Sequence, residues 1–408
     1  MNVKFRGMFY WVSILMLVAA CAPTASHVEP IVVVRPEQPQ WPDEIMWVRP
    51  NGMTGELVAY NMGNGRSTFT LPTGLLSADK QQYVAASEKG DVTHVEIFEP
   101  EQGMLQRSFS LDGRWQLKGI SPNGRWLAFA ADGQKQQGAN WQTDIAVVAG
   151  EDGRVAHTLQ LDGHFEIDAL SNNGDSLFLI QYVPPNQPEK YAVRLYDLAQ
   201  EVLLPDSLRD KRTADEAMTG YAWGTVADAQ GTWWHTLYVS TERNKAFIHA
   251  LTLQPNGFTV CIDLPSGAGD FATLQQYALA LSLDGQTIYA TNPALGIVAE
   301  VSLATFEVVR QVQFEAVAAA DDTPSSTLSA DGKRLFFTNG RQIWSYDTLN
   351  KTVRTPYLEE STAMVQGLGV SGDGARLVVA SAERPLQVFD VTSGEALAFP
   401  DSEVAGRP

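Results

Sequence analysis

Apolar residues in this chain come in short runs that alternate with polar ones, and the runs are closed by small polar residues and glycine instead of being spaced for a helix. The stretch from Ser329 to Phe337, Ser-Ala-Asp-Gly-Lys-Arg-Leu-Phe-Phe, shows the unit most clearly. The serine ends one strand, the aspartate is placed to accept hydrogen bonds from neighbouring amides, and the glycine supplies the positive φ that closes a hairpin without steric cost. The strand Leu335-Phe336-Phe337 follows, then Ile343-Trp344-Ser345-Tyr346-Asp347, then, after a polar break, Thr352-Val353-Arg354. No helical periodicity of useful length interrupts this pattern, which predicts an all-β chain.

The unit recurs. Seven copies of the turn align: Ser77-Ala-Asp-Lys80, Ser121-Pro-Asn-Gly124, Ser171-Asn-Asn-Gly174, Asp228-Ala-Gln-Gly231, Ser282-Leu-Asp-Gly285, Ser329-Ala-Asp-Gly332 and Ser371-Gly-Asp-Gly374, with Lys80 and Asp228 as departures. Their spacings of 44, 50, 57, 54, 47 and 42 residues match a four-stranded propeller blade and exceed most solenoid repeats. Calling the four strands of a blade a to d from the inside outward, the chain carries eight b-c-d units, the first formed by Met46-Trp47-Val48, Glu56 to Tyr60 and Ser67 to Leu71. The expectation is a single β-propeller of antiparallel four-stranded blades over 41–400, seven to eight in number and eight by count, with a tail at 401–408. Eight blades require Ile31 to Val34 as the missing innermost strand.

The Ser-x-Asp-Gly-x-x-Leu-hydrophobic pattern resembles the YVTN and WD40-like bacterial propellers, a group that includes lactonase-like proteins. The Gly-His and Trp-Asp signatures of eukaryotic WD40 blades are missing. Thr236-Leu237-Tyr238, Phe247 to Leu251 and Cys261 to Pro265 resemble one blade of uncharacterised bacterial surface propellers. These resemblances imply the fold and bring no activity with them.

The amino terminus follows another logic. Lys4 and Arg6 precede an apolar run, Met8 to Leu17, too short to span a membrane comfortably, so residues 1–20 read as an export signal. Leu17-Val18-Ala19-Ala20-Cys21 resembles the lipobox of bacterial lipoproteins, which implies cleavage before Cys21 and acylation of its thiol. Two or three acyl chains, at about 0.8 kcal/mol per buried methylene, anchor a protein to a membrane essentially permanently. Ala22 is not an aspartate, so the sorting rule that goes with the resemblance implies the outer membrane where the organism has two. Residues 21–40 carry four of the five prolines between Ala22 and Pro42 and read as a tether. Removing residues 1–20 takes two cations and no acid, so the formal net charge moves from −18 to −20, which argues against nucleic acid as a partner. With Cys21 lipidated, Cys261 is the one cysteine left and no intrachain disulfide is possible.

Two groups of residues carry candidate chemistry. Connections from an outer strand to the next inner strand should all emerge on one face of the ring, where they would rim the channel mouth. They place Arg114, Trp115, His164, Glu166, Asp168, Tyr221, Trp223, Asp270, Asp321 and Asp322 there, an acidic and aromatic set fit for a cationic or polar small ligand, a peptide or a protein. The second group is Tyr238, His249 and Cys261: hairpin register pairs Tyr238 with His249 and His249 with Cys261, bringing phenol, imidazole and thiol to one face. Burial between blades is the plainer role for these three. No C-x-x-C, C-x-x-C-H, D-x-D-x-D-G or G-x-S-x-G occurs, so neither a metal nor a cofactor is predicted. The residues point to a non-enzymatic binding propeller; the alternative is a lactonase-like hydrolase using rim carboxylates with His164 as acid or base.

Overall fold

Each Ser-x-Asp-Gly sequence builds the same hydrogen-bonded corner. At Ser329 the hydroxyl donates to Asp331 Oδ1 at 2.7 Å and accepts from Arg334 N at 3.0 Å, while Asp331 Oδ1 also accepts from Lys333 N at 3.0 Å. Gly332 sits at φ 70°, where a β-carbon would be strained. The two departures keep the geometry by other means. Lys80 takes φ 60° in the glycine's place, and Asp228 Oδ1 accepts from Thr232 N and Trp233 N at 2.7 and 2.9 Å in place of the serine hydroxyl.

The computed structural model describes residues 44–48, 56–131, 135–137, 140–210, 218–255, 257–319, 324–358, 364–381 and 385–399. These form eight antiparallel sheets, at 45–71, 74–112, 115–162, 165–203, 221–263, 278–313, 325–358 and 365–397, numbered here one to eight. The fold is an eight-bladed β-propeller with almost no helix; among the described residues the exception is the single turn Phe271–Leu274. The Ile31 to Val34 strand proposed for the first blade lies outside the described residues.

The first sheet shows three strands, Ile45–Val48, Leu57–Asn61 and Ser67–Leu71, and hydrogen bonding identifies them as b, c and d. Met62 N donates to Glu44 O at 2.8 Å, as Val391 N does to Ala375 O at 2.8 Å across strands b and c of the eighth sheet. Gly65 N donates to Asn61 O at 2.7 Å, as Gly394 N does to Asp390 O at 2.8 Å in the eighth sheet's c–d turn.

Apolar residues alternating along strands b and c meet those of the next sheet, giving a buried cluster at every junction. Ile97, Leu127 and Phe129 join sheets two and three, Ile248, Ile288 and Val301 join five and six, and Phe336, Leu377 and Val379 join seven and eight. Met46, Val48 and Met62 pack against Val378, Ala380 and Val388, closing the ring between the first and eighth sheets. Each fully buried aliphatic or aromatic side chain contributes roughly 1.5–3 kcal/mol. Among the described residues no helix is long and apolar enough to cross a membrane.

Candidate functional site

Because every sheet is antiparallel, the d-to-a connections and the b–c turns share one face of the ring, and the a–b and c–d turns share the other. On the first face a second repeated sequence sets the entry to an inner strand: Leu111-Asp-Gly-Arg-Trp115 and Leu161-Asp-Gly-His-Phe165. In both, a buried threonine of strand c locks the turn. Thr93 Oγ1 donates to Gly113 O at 2.9 Å and accepts from Trp115 N at 2.8 Å; Thr143 Oγ1 donates to Gly163 O at 2.9 Å and accepts from Phe165 N at 3.0 Å.

Beyond these entries the inner strands of sheets three, four, five and eight each break register once, three residues before the Ser that opens the a–b turn in sheets three and four, and five residues before the Asp or Ser that opens it in sheets five and eight. The unpaired extra residues are Lys118, Asp168, Trp223 and Gln366. A β-bulge frees a side chain from the alternation of its strand and turns it toward a new neighbour. Two of the expected rim residues, Asp168 and Trp223, are therefore set by a backbone irregularity.

Asp168 is placed at a cavity of about 250 Å³ between sheets four and five, where Glu166, Tyr182, Tyr191, Tyr221 and Tyr238 also line the wall. Tyr182 Oη donates to Glu166 Oε2 at 2.7 Å. The Asp168 Oδ2 atom is shut off from solvent and meets no donor. Burial raises its carboxyl to about 7, so near neutrality it carries a proton about half the time. Burial and the Glu166 hydrogen bond hold the Tyr182 phenol well above its ordinary range, and burial does the same to Tyr191 and Tyr238, so all three stay neutral. The wall continues outward through His164, whose ring stacks on Trp141 at 4.7 Å and meets Tyr182 at 4.7 Å. His164 Nδ1–H donates to Pro185 O at 2.8 Å, which fixes that nitrogen as the protonated one in the neutral ring.

Tyr221 lines this cavity, and Trp223 follows it on the same inner strand, Tyr221–Ala227. Both meet the Phe271 ring edge-on, at 6.2 and 6.1 Å, and they are 37 % and 41 % exposed, so their faces remain open to a ligand. Trp223 lines a different cavity, of about 230 Å³, with Tyr277, Ser325 and Ser326.

The other expected rim residues go elsewhere. Arg114 Nε pairs with Glu88 Oε2 at 2.8 Å, Trp115 Nε1 donates to Asp112 O at 2.8 Å, and neither lines the cavity. Asp270 spends its carboxylate as the cap of Phe271–Leu274, accepting from Thr273 N and Oγ1 at 2.9 and 2.7 Å. Asp321 and Asp322 lie outside the described residues.

The second candidate group needs one correction. His249 pairs with Cys261 as expected, but Tyr238 pairs with Phe247, and the partner of His249 on the other side is Thr236. The shift is two residues, so Tyr238 keeps its face and meets the His249 ring edge-on at 6.0 Å. Cys261 Sγ lies 3.8 Å from His249 Nδ1, and Cys261 N donates to Asp210 Oδ2 at 2.9 Å. His249 is fully buried, and desolvation lowers its imidazole to about 4 against the opposing pull of Asp210. A neutral imidazole gives the neighbouring thiol no positive charge from that side. Among the described residues no group of three metal-ligating side chains occurs. The two groups, far apart in sequence, are joined by Tyr238, which lines the cavity on one side, stacks on Tyr191 at 5.0 Å and touches His249 on the other.

Trp141, Tyr182, Tyr191 and Asp210 were not legible as site residues. The first three lie at the b–c ends of their strands and Asp210 in the connection from the fourth sheet to the fifth, and their roles come from contacts between segments distant in sequence.

No family model matches the chain, and no curated protein does. Among solved structures it is similar to the dihydro-heme d1 dehydrogenase NirN, at 12 % identity, with 89 % of this chain and 74 % of that one covered and a TM-score of 0.54. It is also similar to a protein of Bacteroides uniformis provisionally assigned as a 6-phosphogluconolactonase, at 17 % identity over 76 % of this chain and 91 % of that one, with a TM-score of 0.41. A protein of unknown function from Desulfotomaculum acetoxidans matches at 10 % identity over 75 % and 91 %, with a TM-score of 0.41. At such identities the likeness is one of fold alone.

Proposed function

We propose that this chain is a lipid-anchored, extracytoplasmic binding propeller that takes a cationic group of a small ligand or peptide in the cavity between its fourth and fifth sheets. The observation that carries this reading is the pairing of two carboxylates, Glu166 and Asp168, with four tyrosines around one cavity of about 250 Å³. Aromatic faces attract a cation by roughly 0.5–2 kcal/mol each, and a buried carboxylate without a partner gains most from one. A bound cation would supply the charge that Asp168 Oδ2 lacks. The lactonase-like reading instead asks Asp168 or His164 to move a proton.

Calorimetric titration with choline, arginine and spermidine at pH 8 tests the reading. At least one should bind, Glu166→Gln and Tyr221→Ala should each weaken it about tenfold or more, and binding should fade as pH drops below 7 and Asp168 protonates. A wild-type protein indifferent to all three cations, or variants that bind as well as it does, would overturn the proposal. Hydrolysis of a simple lactone, lost in Asp168→Asn, would favour the enzymatic alternative.

The anchor rests on the Val18 to Cys21 sequence. Replacing Cys21 with serine should release the protein to the soluble fraction or leave the precursor uncut, as read by fractionation and gel mobility. A Ser variant that is processed and membrane-bound like the wild type would refute the lipid anchor.

A further inference from the structure

A cavity of about 690 Å³ lies on the opposite face, among the a–b and c–d turns of sheets two to four, and its chemistry is inverted. In a chain of net charge −18, three arginines line it: Arg107 from the outer strand Met104–Asp112, Arg125 from the third sheet's a–b turn and Arg154 from its c–d turn. Two carboxylates also line it, Glu151 and Asp152. Asp152 is engaged locally, accepting from Arg154 N at 3.0 Å and lying 3.9 Å from Arg154 Nε. Arg107 and Arg125 have no carboxylate partner among the described residues. The Nε–H of Arg107 is shut off from solvent and donates to nothing.

The frame around these cations is fixed. Gly150 N donates to Arg125 O at 2.8 Å, tying the two turns of the third sheet together. The c–d turn rests on the second sheet, where Phe109 packs so closely on Gly153 that a β-carbon there would fall 2.4 Å from the ring. Trp126 is clamped in the same way over Gly174 of the fourth sheet, with 2.3 Å left for a β-carbon, and it lends the cavity an aromatic wall. Gln82 Oε1 is buried beside the cavity without a donor. Asn172 is already committed, accepting from Asn123 N and donating to Gln230 O, both at 2.8 Å.

Two buried polar atoms at this cavity are unpaired, the Nε–H of Arg107 and Oε1 of Gln82, and the exposed Arg125 lines the same cavity. Guanidinium groups match the planar oxygens of carboxylates and phosphates, and a cavity of this size holds a whole small molecule. We infer that this face binds a hydroxylated anion of the sugar-acid or sugar-phosphate class, with its acid group on Arg107 and Arg125, a hydroxyl on Gln82 and its ring against Trp126. The site is independent of the cation cavity, from which it is separated by the thickness of the ring.

Titration calorimetry at constant ionic strength, with glucuronate, glucose 6-phosphate, inorganic phosphate and glucose as probes, tests this. Wild-type protein should bind glucuronate or glucose 6-phosphate, whichever acid group the site prefers, and glucose at least tenfold more weakly. Arg125→Gln, a change at an exposed residue that leaves the fold intact, should weaken the acid at least tenfold, as should Arg107→Gln. Gln82→Ala should weaken the hydroxylated acid while leaving inorganic phosphate unchanged, and Glu166→Gln on the other face should change nothing. The inference is wrong if neither sugar acid nor sugar phosphate binds, if Arg107→Gln and Arg125→Gln bind as the wild type does, or if Glu166→Gln removes the binding equally.

Discussion

Asp168 and His249 are buried titratable groups whose charges oppose the fold in opposite pH ranges, and both consequences can be measured. The Asp168 carboxyl moves from 3.8 to about 7 through loss of solvent. Its folded-state value lies above its unfolded value, so the folded state binds the extra proton between those limits. Its contribution therefore worsens as pH rises from about 4 to 7 and is constant above, at on the order of 1.4 kcal/mol per unit of pKa difference. His235 and His249 move the other way, from 6.5 to about 4, through burial. Each costs stability as pH falls from about 6.5 to 4, where the unfolded state takes up protons that the folded state refuses. Asp168→Asn should raise the melting temperature at pH 8, and the advantage should shrink to nothing by pH 4. Melting curves collected across that range check it: an equal effect at both ends would mean that Asp168 is solvated and not held for a ligand.

At the scale of strands and turns, legibility follows range. The Ser-x-Asp-Gly corner could be read because its hydrogen bonds all fall within six residues, from Ser329 to Arg334. The pairing of His249 with Cys261 was legible for a similar reason, since a hairpin fixes register from its own turn. The Tyr238 register slipped by two residues because the turn after Ser240 is a tight four-residue connection, with Ser240 opposite Lys245 and Asn244 at φ 49°. A slip of two leaves the buried face unchanged, so the hydrophobic pattern gave no warning. The bulges at Asp168 and Trp223 left no trace in the alternation either, because one extra residue among small and polar neighbours reads as ordinary sequence. Asp270 looked like a rim carboxylate and proved to be a helix cap; the Asp-x-x-Thr spacing before Leu274 was the available sign. The cavity between the fourth and fifth sheets was half legible. Glu166, Asp168 and Tyr221 stood out as connection residues, whereas Tyr182, Tyr191 and Tyr238 reach it only because the fourth and fifth sheets pack side by side.

At the scale of the whole ring, seven junctions join sheets that follow one another in the chain, and one joins its two ends. That last junction, between the first and eighth sheets, rests on side-chain packing and on Gly372 N donating to Glu44 Oε2 at 2.7 Å. Part of that packing is Met46, whose sulfur would stand 3.0 Å from a β-carbon on Gly369 of the facing inner strand. Gly369 has no positive φ, so its want of a side chain reflects space and not backbone conformation. Gly369→Val should therefore destabilise the propeller by about 1–3 kcal/mol through overpacking. Met46→Ala should cost about 2–5 kcal/mol by leaving a cavity. The double variant should lose less than the sum, because the valine fills the space that the methionine vacates. Denaturant melts of the four proteins form the cycle. Strict additivity would place Met46 and Gly369 out of contact and move the closure of the ring elsewhere. A positive coupling would locate the seal of the ring at this pair, far in sequence and adjacent in space.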